Sequence, residues 1–431
     1  MKKQILILST LALLSNLNAT EIYTVDDLIL QALKHSPNLH LSADDYAASK
    51  SRLKQVNSGY LPQIDLSLSG GKGGKSDIPL NPDKIVNDTL LSGALSLQQL
   101  VYDFGKTTSL SNNAKYNSEH FSNTYEQLIS DKKRDVKSAY YSVLQKIALI
   151  KVNQENLKLN KAQLYRSQKY FEAGIRTKID VSDATVELIK SKLDLNKSEY
   201  DLKLAYAFLD ENVGYSQIHN DYKVYAKDLD LTNLYSSISN YPLTLDASVM
   251  FAYENRYEIK KQQSLLDIAK ANVTGANADY YPSLYLNANY TKQHLDTYRT
   301  TLPKDQWQAL LNLDVNLYKG GASDANVEEK NIELQKASTN ITYTKLLIKT
   351  STTQAYINVQ KAKDSVELSQ SLLKVSKEKF GQASKRYEHG LADFIELQQA
   401  RQGYIDAMSS LIIDYYGYYD SVAILDNAIG R

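Results

Sequence analysis

The chain has 431 residues, with 50 Lys and Arg against 49 Asp and Glu, so no basic field draws it to nucleic acid. It contains 7 Pro, 17 Gly and no Cys, a composition of long regular elements rather than of a turn-rich or disulfide-stapled fold. A thiol nucleophile and Cys-ligated zinc are excluded, and the 6 His lie scattered without metal-ligand spacing; no metal or cofactor is expected, and catalysis is disfavoured.

At the N-terminus, Lys2 and Lys3 precede the apolar run from Ile5 to Leu14, and the small residue Ala19 follows. This pattern predicts a secretory signal over 1–19, too short to span a bilayer. No Cys follows the run, so no lipid-attachment site is expected. Beyond it, prolines at 37, 62, 79, 82, 242, 282 and 303 leave 83–241 and 304–431 free of the strongest helix breaker. Residues 20–212 read as a first repeat: a helix over about 25–59, a hairpin over 61–102, a long helix over 105–174 and a helix over 176–212. An inter-repeat segment, 213–246, leads to a second repeat, 247–431, with a helix over about 247–279, a hairpin over 282–318, a long helix over 321–390 and a helix over 392–428.

The long helices carry a seven-residue apolar period. Val136, Val143, Ile150, Leu157, Leu164 and Phe171 form one seam, and Val359, Val366, Leu373, Phe380 and Tyr387 form the other. Such a period predicts left-handed supercoiling against neighbouring helices. The two blocks also match each other at a shift of 216 (390 − 174), which pairs Gly174 with Gly390, Gly105 with Gly321 and Tyr102 with Tyr318. The seam Val181, Leu188, Leu195, Leu202 and Leu209 maps at the same shift onto Leu397, Tyr404, Leu411, Tyr418 and Leu425, so the chain is an internal duplication.

The hairpins have period two instead. Ile64, Leu66 and Leu68 alternate with polar residues in 63–70, and Leu91, Gly93, Leu95 and Leu97 do so in 91–98. The second pair is 283–290 (Leu284, Leu286, Ala288, Tyr290) and 307–318 (Trp307, Ala309, Leu311, Leu313, Val315, Leu317). Polar loops are expected at 71–90 and 291–306. Alternation alone is compatible with sheets packed on helices with one face in water. Segments of about ten residues also suit tilted membrane strands, however. Tyr60, Tyr102, Tyr280, Tyr281 and Tyr318 at the helix-joined ends, with Trp307 at the far end, then form an interfacial girdle. Four spanning strands cannot stand alone, because exposed edges in hydrocarbon leave backbone groups unpaired at several kcal/mol each. The barrel must be shared among chains; two copies give a side-chain-filled barrel, and three leave a lumen.

These features resemble the TolC-type outer-membrane efflux proteins, also called outer membrane factors. The carriers are Tyr102-Asp103-Phe104-Gly105 and Leu317-Tyr318-Lys319-Gly320-Gly321 at the strand-to-helix joins, and Tyr60-Leu61-Pro62 and Tyr280-Tyr281-Pro282 ahead of the hairpins. Phe171-Glu172-Ala173-Gly174-Ile175, Tyr387-Glu388-His389-Gly390-Leu391 and Ala32-Leu33-Lys34-His35-Ser36-Pro37 complete the set. The resemblance implies a mainly α fold with a small β part: a long coiled-coil α-helical barrel plus four transmembrane strands per chain, completed in a homotrimer as a twelve-stranded β-barrel. It also implies outer-membrane lipid around the barrel, a periplasmic adaptor and a proton-driven or ABC-type inner-membrane transporter. The protein would be a passive exit duct of a tripartite efflux or type I secretion system.

The resemblance further implies a periplasmic mouth narrowed where the turns at Gly174 and Gly390 converge, ringed by Asp180 and Glu396. Tyr387 matches a family tyrosine that hydrogen-bonds to the first-repeat acid, which makes Tyr387 to Asp180 the candidate latch. Ala392 stands where the family's best-known member has an arginine, and Arg176 occupies the equivalent place in the first repeat. Gln399 stands where a second ring acid is expected, and Asp183 supplies an acid on the other repeat. The Gly-rich run 69–76 lacks the first glycine and the helix of a phosphate-binding loop, so a surface loop is expected there. The reading from another class is a soluble periplasmic coiled-coil scaffold or adaptor without a pore.

Overall fold

A computed structural model of the chain describes residues 21–77, 81–215, 222–295 and 305–431. The expected signal at 1–19 lies outside them. After a short strand, β1 (Glu21–Tyr23), Thr24 opens α1 (Val25–His35) with a capping box: its hydroxyl accepts from the Asp27 N–H, and the Asp27 carboxylate accepts from the Thr24 N–H. The expected helix over 25–59 is broken. Pro37 begins α2 (Pro37–Asn57), and Ser36 before it is extended, as a residue preceding proline prefers. The hairpin β2 (Gln63–Asp77) and β3 (Asn81–Tyr102) follows, then α3 (Lys106–Glu172) and α4 (Lys178–Val213). A short β4 (Tyr222–Val224) lies parallel to β1.

The second half repeats the order with α5 (Leu245–Asn255), α6 (Tyr257–Ala278), β5 (Ser283–Leu295), β6 (Asp305–Asp314), α7 (Ala322–Glu388) and α8 (Phe394–Ile429). The expected helix over 247–279 also breaks, at an extended Arg256 and without any proline. Helices α3 and α7 have 67 residues each, about 100 Å at ~1.5 Å per residue. The shift of 216 holds for α3 and α4 against α7 and α8, but α1 and β2 precede α5 and β5 by 220 (245 − 25; 283 − 63). Four extra residues in the first hairpin account for the difference.

The four long strands form one antiparallel sheet in the order β2-β3-β5-β6, leaving β2 and β6 as open edges. The strands depart from expectation at both ends. Gly70, Gly71, Gly73 and Gly74 pair within β2, opposite Leu91, Leu90, Asp88 and Asn87, so the run 69–76 is strand rather than loop. A ladder satisfies backbone N–H and C=O groups whatever the side chain, which lets a poor strand former extend a paired strand. Conversely, β6 ends at Asp314, and 315–319 carry no regular structure.

The main core lies midway along the long helices. Leu28, Val136, Val143, Leu209, Leu411, Ile412, Leu425 and Ile429 are buried there. The segment around β4 is strapped over it by hydrogen bonds from Tyr140 to the Tyr225 carbonyl and from Tyr418 to the Ser239 carbonyl. On α7 the expected seam is buried at Val359, Val366, Leu373 and Tyr387. On α3 it holds only at Val136 and Val143; further on, Ile150, Leu157 and Leu164 are half-buried and Phe171 is exposed, while Val152, Asn156, Asn160, Gln163 and Ser167 are buried. A helix of 3.6 residues per turn drifts ~20° per heptad against a strict seven-residue repeat, enough to move the seam to neighbouring positions.

Candidate functional site

Cross-strand register sorts the sheet into two chemically distinct faces. One face carries the rows Leu66–Leu95–Tyr290–Trp307, Ile64–Leu97–Ala288–Ala309 and, on two strands, Leu286–Leu311 and Leu284–Leu313. The other carries Asp65–Ser96–Asn289–Gln308, Ser67–Ala94–Thr291–Gln306 and Gln63–Gln98–Asn287–Leu310. The apolar face is largely open: Leu66 is 68 % exposed and Trp307 77 %. A water-soluble sheet buries its apolar face against the helices, so this chain presents the wrong face to water for a scaffold.

At the helix-joined ends, aromatic rings gather. Phe104 lies between Tyr102, edge-on at 4.7 Å, and Tyr281, stacked at 5.1 Å. The Asp103 carboxylate accepts from the N–H groups of Gly105 and Thr107, capping α3 and holding Phe104 in a left-handed conformation at φ 52°. The Tyr60 hydroxyl donates to Thr108 and that of Tyr280 to Asp324, so both tyrosines bridge strand ends to long helices. Tyr318 is exposed on the irregular stretch after β6.

At the opposite end of the long helices are the two turns. Gly174 and Gly390 take φ +72° and +73°, and each turn closes with an N–H reaching back to a helix carbonyl, Ile175 to Tyr170 and Leu391 to Arg386, both at 2.8 Å. Asp180 lies in the first turn of α4, half-buried, and Asp183 is exposed one turn on. Glu396 is half-buried in the first turn of α8, where its N–H donates to the Asp393 cap at 2.7 Å and its carboxylate pairs with Arg386 at 3.5 Å. Tyr387 is only 1 % exposed, and its hydroxyl makes no hydrogen bond, so the expected latch to Asp180 is not formed. The ring instead packs on Phe394 and Tyr170 and carries the Arg176 guanidinium 4.9 Å from its centroid. Arg176 also donates to the Ala392 carbonyl at 2.9 Å.

Two further arginines belong to no motif. Arg166 on α3 pairs with Glu388 at 3.0 Å, and Arg401 on α8 pairs with Glu187 on α4 at 3.8 Å. Arg401 was legible as a charge beside a buried seam, next to Ala400; Arg166 gave no such signal.

The sequence profile described as "Outer membrane efflux protein" matches residues 28–214 and 251–431. The chain belongs to the outer membrane efflux protein family. That family consists of channel proteins rather than enzymes, and it places this chain in the outer membrane with its helical part in the periplasm. The outer membrane protein TolC of Vibrio cholerae is 23 % identical over 424 residues, covering 96 % of this chain and 90 % of the relative. Two solved channels share the fold: CusC, at a TM-score of 0.83 and 17 % identity over 94 % of this chain and 92 % of that one, and CmeC of Campylobacter jejuni, at 0.81 and 16 % over 94 % and 85 %. The fold of this efflux-family chain is accordingly the mainly α, minor β architecture of those channels.

Proposed function

We propose that three copies of the chain close their sheets into one twelve-stranded barrel around a water-filled lumen, continued by the helices as a tube that is gated at its periplasmic end. The observation that carries this reading is the two-faced sheet with open edges at β2 and β6. Facing lipid, its apolar rows are satisfied and its polar rows line a wet interior, while each β6 must find a neighbour's β2 because unpaired edges are untenable in hydrocarbon. Twelve strands are enough to leave a passage. Along the helices, exposed stripes suit the same assembly: Ile179, Val186, Leu193 and Tyr200 on α4 recur every seven residues, and Leu346, Ile357 and Leu368 on α7 every eleven. Tyr60, Tyr102, Tyr281 and Tyr318 would mark the periplasmic interface and Trp307 the opposite side.

The duct conducts passively and takes energy and selection from a periplasmic adaptor and an inner-membrane transporter, as part of a tripartite efflux or type I secretion system. Efflux is supported by a relative in Pseudomonas putida, the "Probable efflux pump outer membrane protein TtgC". Residues 1–19 would direct export. Asp180, Asp183 and Glu396, with Arg176 and Tyr387 between the turns, form the mouth.

The assembly is tested by fractionation and planar-bilayer recording. A heat-modifiable oligomer in outer membranes that passes current is the expected result; release by carbonate and no current in bilayers overturns it in favour of the scaffold. At the mouth, Asp180→Ala with Glu396→Ala is expected to raise conductance or weaken block by multivalent cations, since rings of carboxylates attract cations. Unchanged conductance and unchanged block remove both residues from the gate.

A further inference from the structure

Protein interiors rarely leave voids larger than a water molecule. Beneath the segment that follows β4, a cavity of about 330 Å³ departs from that rule. Its apolar walls include Ala148 and Val152 of α3, Met408 and Ile412 of α8, and Leu229 and Leu231 of the overlying segment. All of its walls come from one chain, so the cavity is complete without a neighbour. Its volume falls at the lower end of the range of small-molecule sites, which are likewise mostly apolar with a few polar groups.

Those polar groups set what the cavity can hold. Four charged side chains line it: Lys151, Glu155, Lys227 and Asp228. Asp228 pairs with Lys151, which ties the segment to α3, and Glu155 pairs with Lys158 at 3.6 Å. Lys227 is exposed and has no ion pair or hydrogen bond among the described residues, so the charge left over at the cavity is positive. Tyr416, also in the wall, is 7 % exposed, and its hydroxyl has no hydrogen-bond partner among the described residues. Burial raises its pKa, so the hydroxyl keeps its proton and stays a donor. A buried donor without an acceptor is costly, and an occupant that brings an oxygen removes the cost.

We propose that this cavity binds a small amphipathic monocarboxylate, its apolar body among Ala148, Val152, Met408 and Ile412 and its carboxylate paired with Lys227 and accepting from the Tyr416 hydroxyl. The occupant comes from water rather than from the bilayer. Val152 lies 47 residues beyond Gly105 (152 − 105), about 70 Å from the strand-to-helix join on a helix rising ~1.5 Å per residue. A lipid anchored in the outer membrane does not reach that far, whereas a dissolved short-chain acid does. Once bound, it bridges the segment after β4 to α3 and α8.

Equilibrium dialysis of the full-length protein in lipid nanodiscs, with empty discs as the blank, tests this with octanoate, octanol and octylammonium. Octanoate is expected to bind saturably at one per chain, octanol more weakly and octylammonium weakest, since the last neither pairs with Lys227 nor accepts from Tyr416. Lys227→Gln, a surface change that leaves the fold intact, is expected to weaken octanoate by up to roughly 5-fold and to leave octanol unchanged. Tyr416→Phe removes only the hydroxyl and is expected to weaken both octanoate and octanol by roughly 2- to 12-fold. Three results overturn the proposal: no saturable octanoate binding at millimolar concentration, octylammonium bound as well as octanoate, or octanoate affinity unmoved by both substitutions. Current through the channel does not enter this test, so its failure leaves the duct reading untouched.

Discussion

Replacing Leu97 by Arg is expected to remove the protein from the outer membrane, whereas the same change at its neighbour Ser96 is expected to leave insertion intact. Leu97 shares the apolar face with Ile64, Ala288 and Ala309; Ser96 shares the polar face with Asp65, Asn289 and Gln308. Depth sets the size of the effect. Leu97 lies five residues from Tyr102, about 16 Å along the strand at ~3.3 Å per residue, and a strand tilt of about 40° brings that to about 12 Å of membrane depth. This is close to the middle of an apolar band ~25 Å tall, where Arg on the lipid face costs roughly 2–4 kcal/mol. Three symmetric copies make that roughly 6–12 kcal/mol, comparable with the whole stability of a folded protein. Arg at position 96 would face water and adds positive charge to the wall, so its expected phenotype is a normal oligomer with reduced cation current. Quantitative fractionation and bilayer recording of both variants check this; equal insertion of the two means that the faces have been assigned the wrong way or that neither meets lipid.

The faces were legible because period two is a property of strands that no helix imitates over eight residues, and the apolar members recur on every strand. The ends of the strands were not, because glycines at 70–74 read as loop, yet a ladder already running beside them extends the strand at little cost. Similarly, the buried seam of α7 follows the heptad through Val359, Val366 and Leu373, whereas α3 slips onto Asn156, Asn160, Gln163 and Ser167. Polar residues in that seam hid it from any search for apolar period. The ion pairs between the two helical hairpins illustrate a third limit. Arg166, Glu388, Glu187 and Arg401 lie far apart in the chain, and pattern within one helix does not report which long side chains meet across two. The four-residue excess of the first hairpin was masked because the aligned glycines all lie after it, at Gly105 and beyond.

Two glycines outside every motif carry the second large expected effect. Gly214 ends α4 in a left-handed conformation, φ +90°, and a Cβ there would lie 2.7 Å from the His35 carbonyl oxygen and 2.9 Å from the Ser36 Cα. In the second repeat Gly430 ends α8 at φ +82°, with its absent Cβ directed at the backbone of Asn255 and Arg256, 3.0 Å away. Each returning helix thus docks its last residue on the break between the two short helices of its own repeat. Ala at 214 incurs about 1–2 kcal/mol for the left-handed backbone and a further 1–3 kcal/mol or so for forcing backbone apart in a packed core. At Gly174 and Gly390, where nothing lies within 4 Å of the missing Cβ, only the first cost applies. Gly214→Ala is therefore expected to lower the temperature at which the detergent-solubilised oligomer dissociates most, Gly430→Ala less, and Gly174→Ala or Gly390→Ala least. Dissociation temperature at a fixed heating rate is the suitable measure, because large oligomers seldom unfold reversibly. Equal shifts at Gly214 and Gly174 would show that the docking contact can relax. The break at Pro37 would then owe its place to proline alone, and the proline-free break at Arg256 would need another cause.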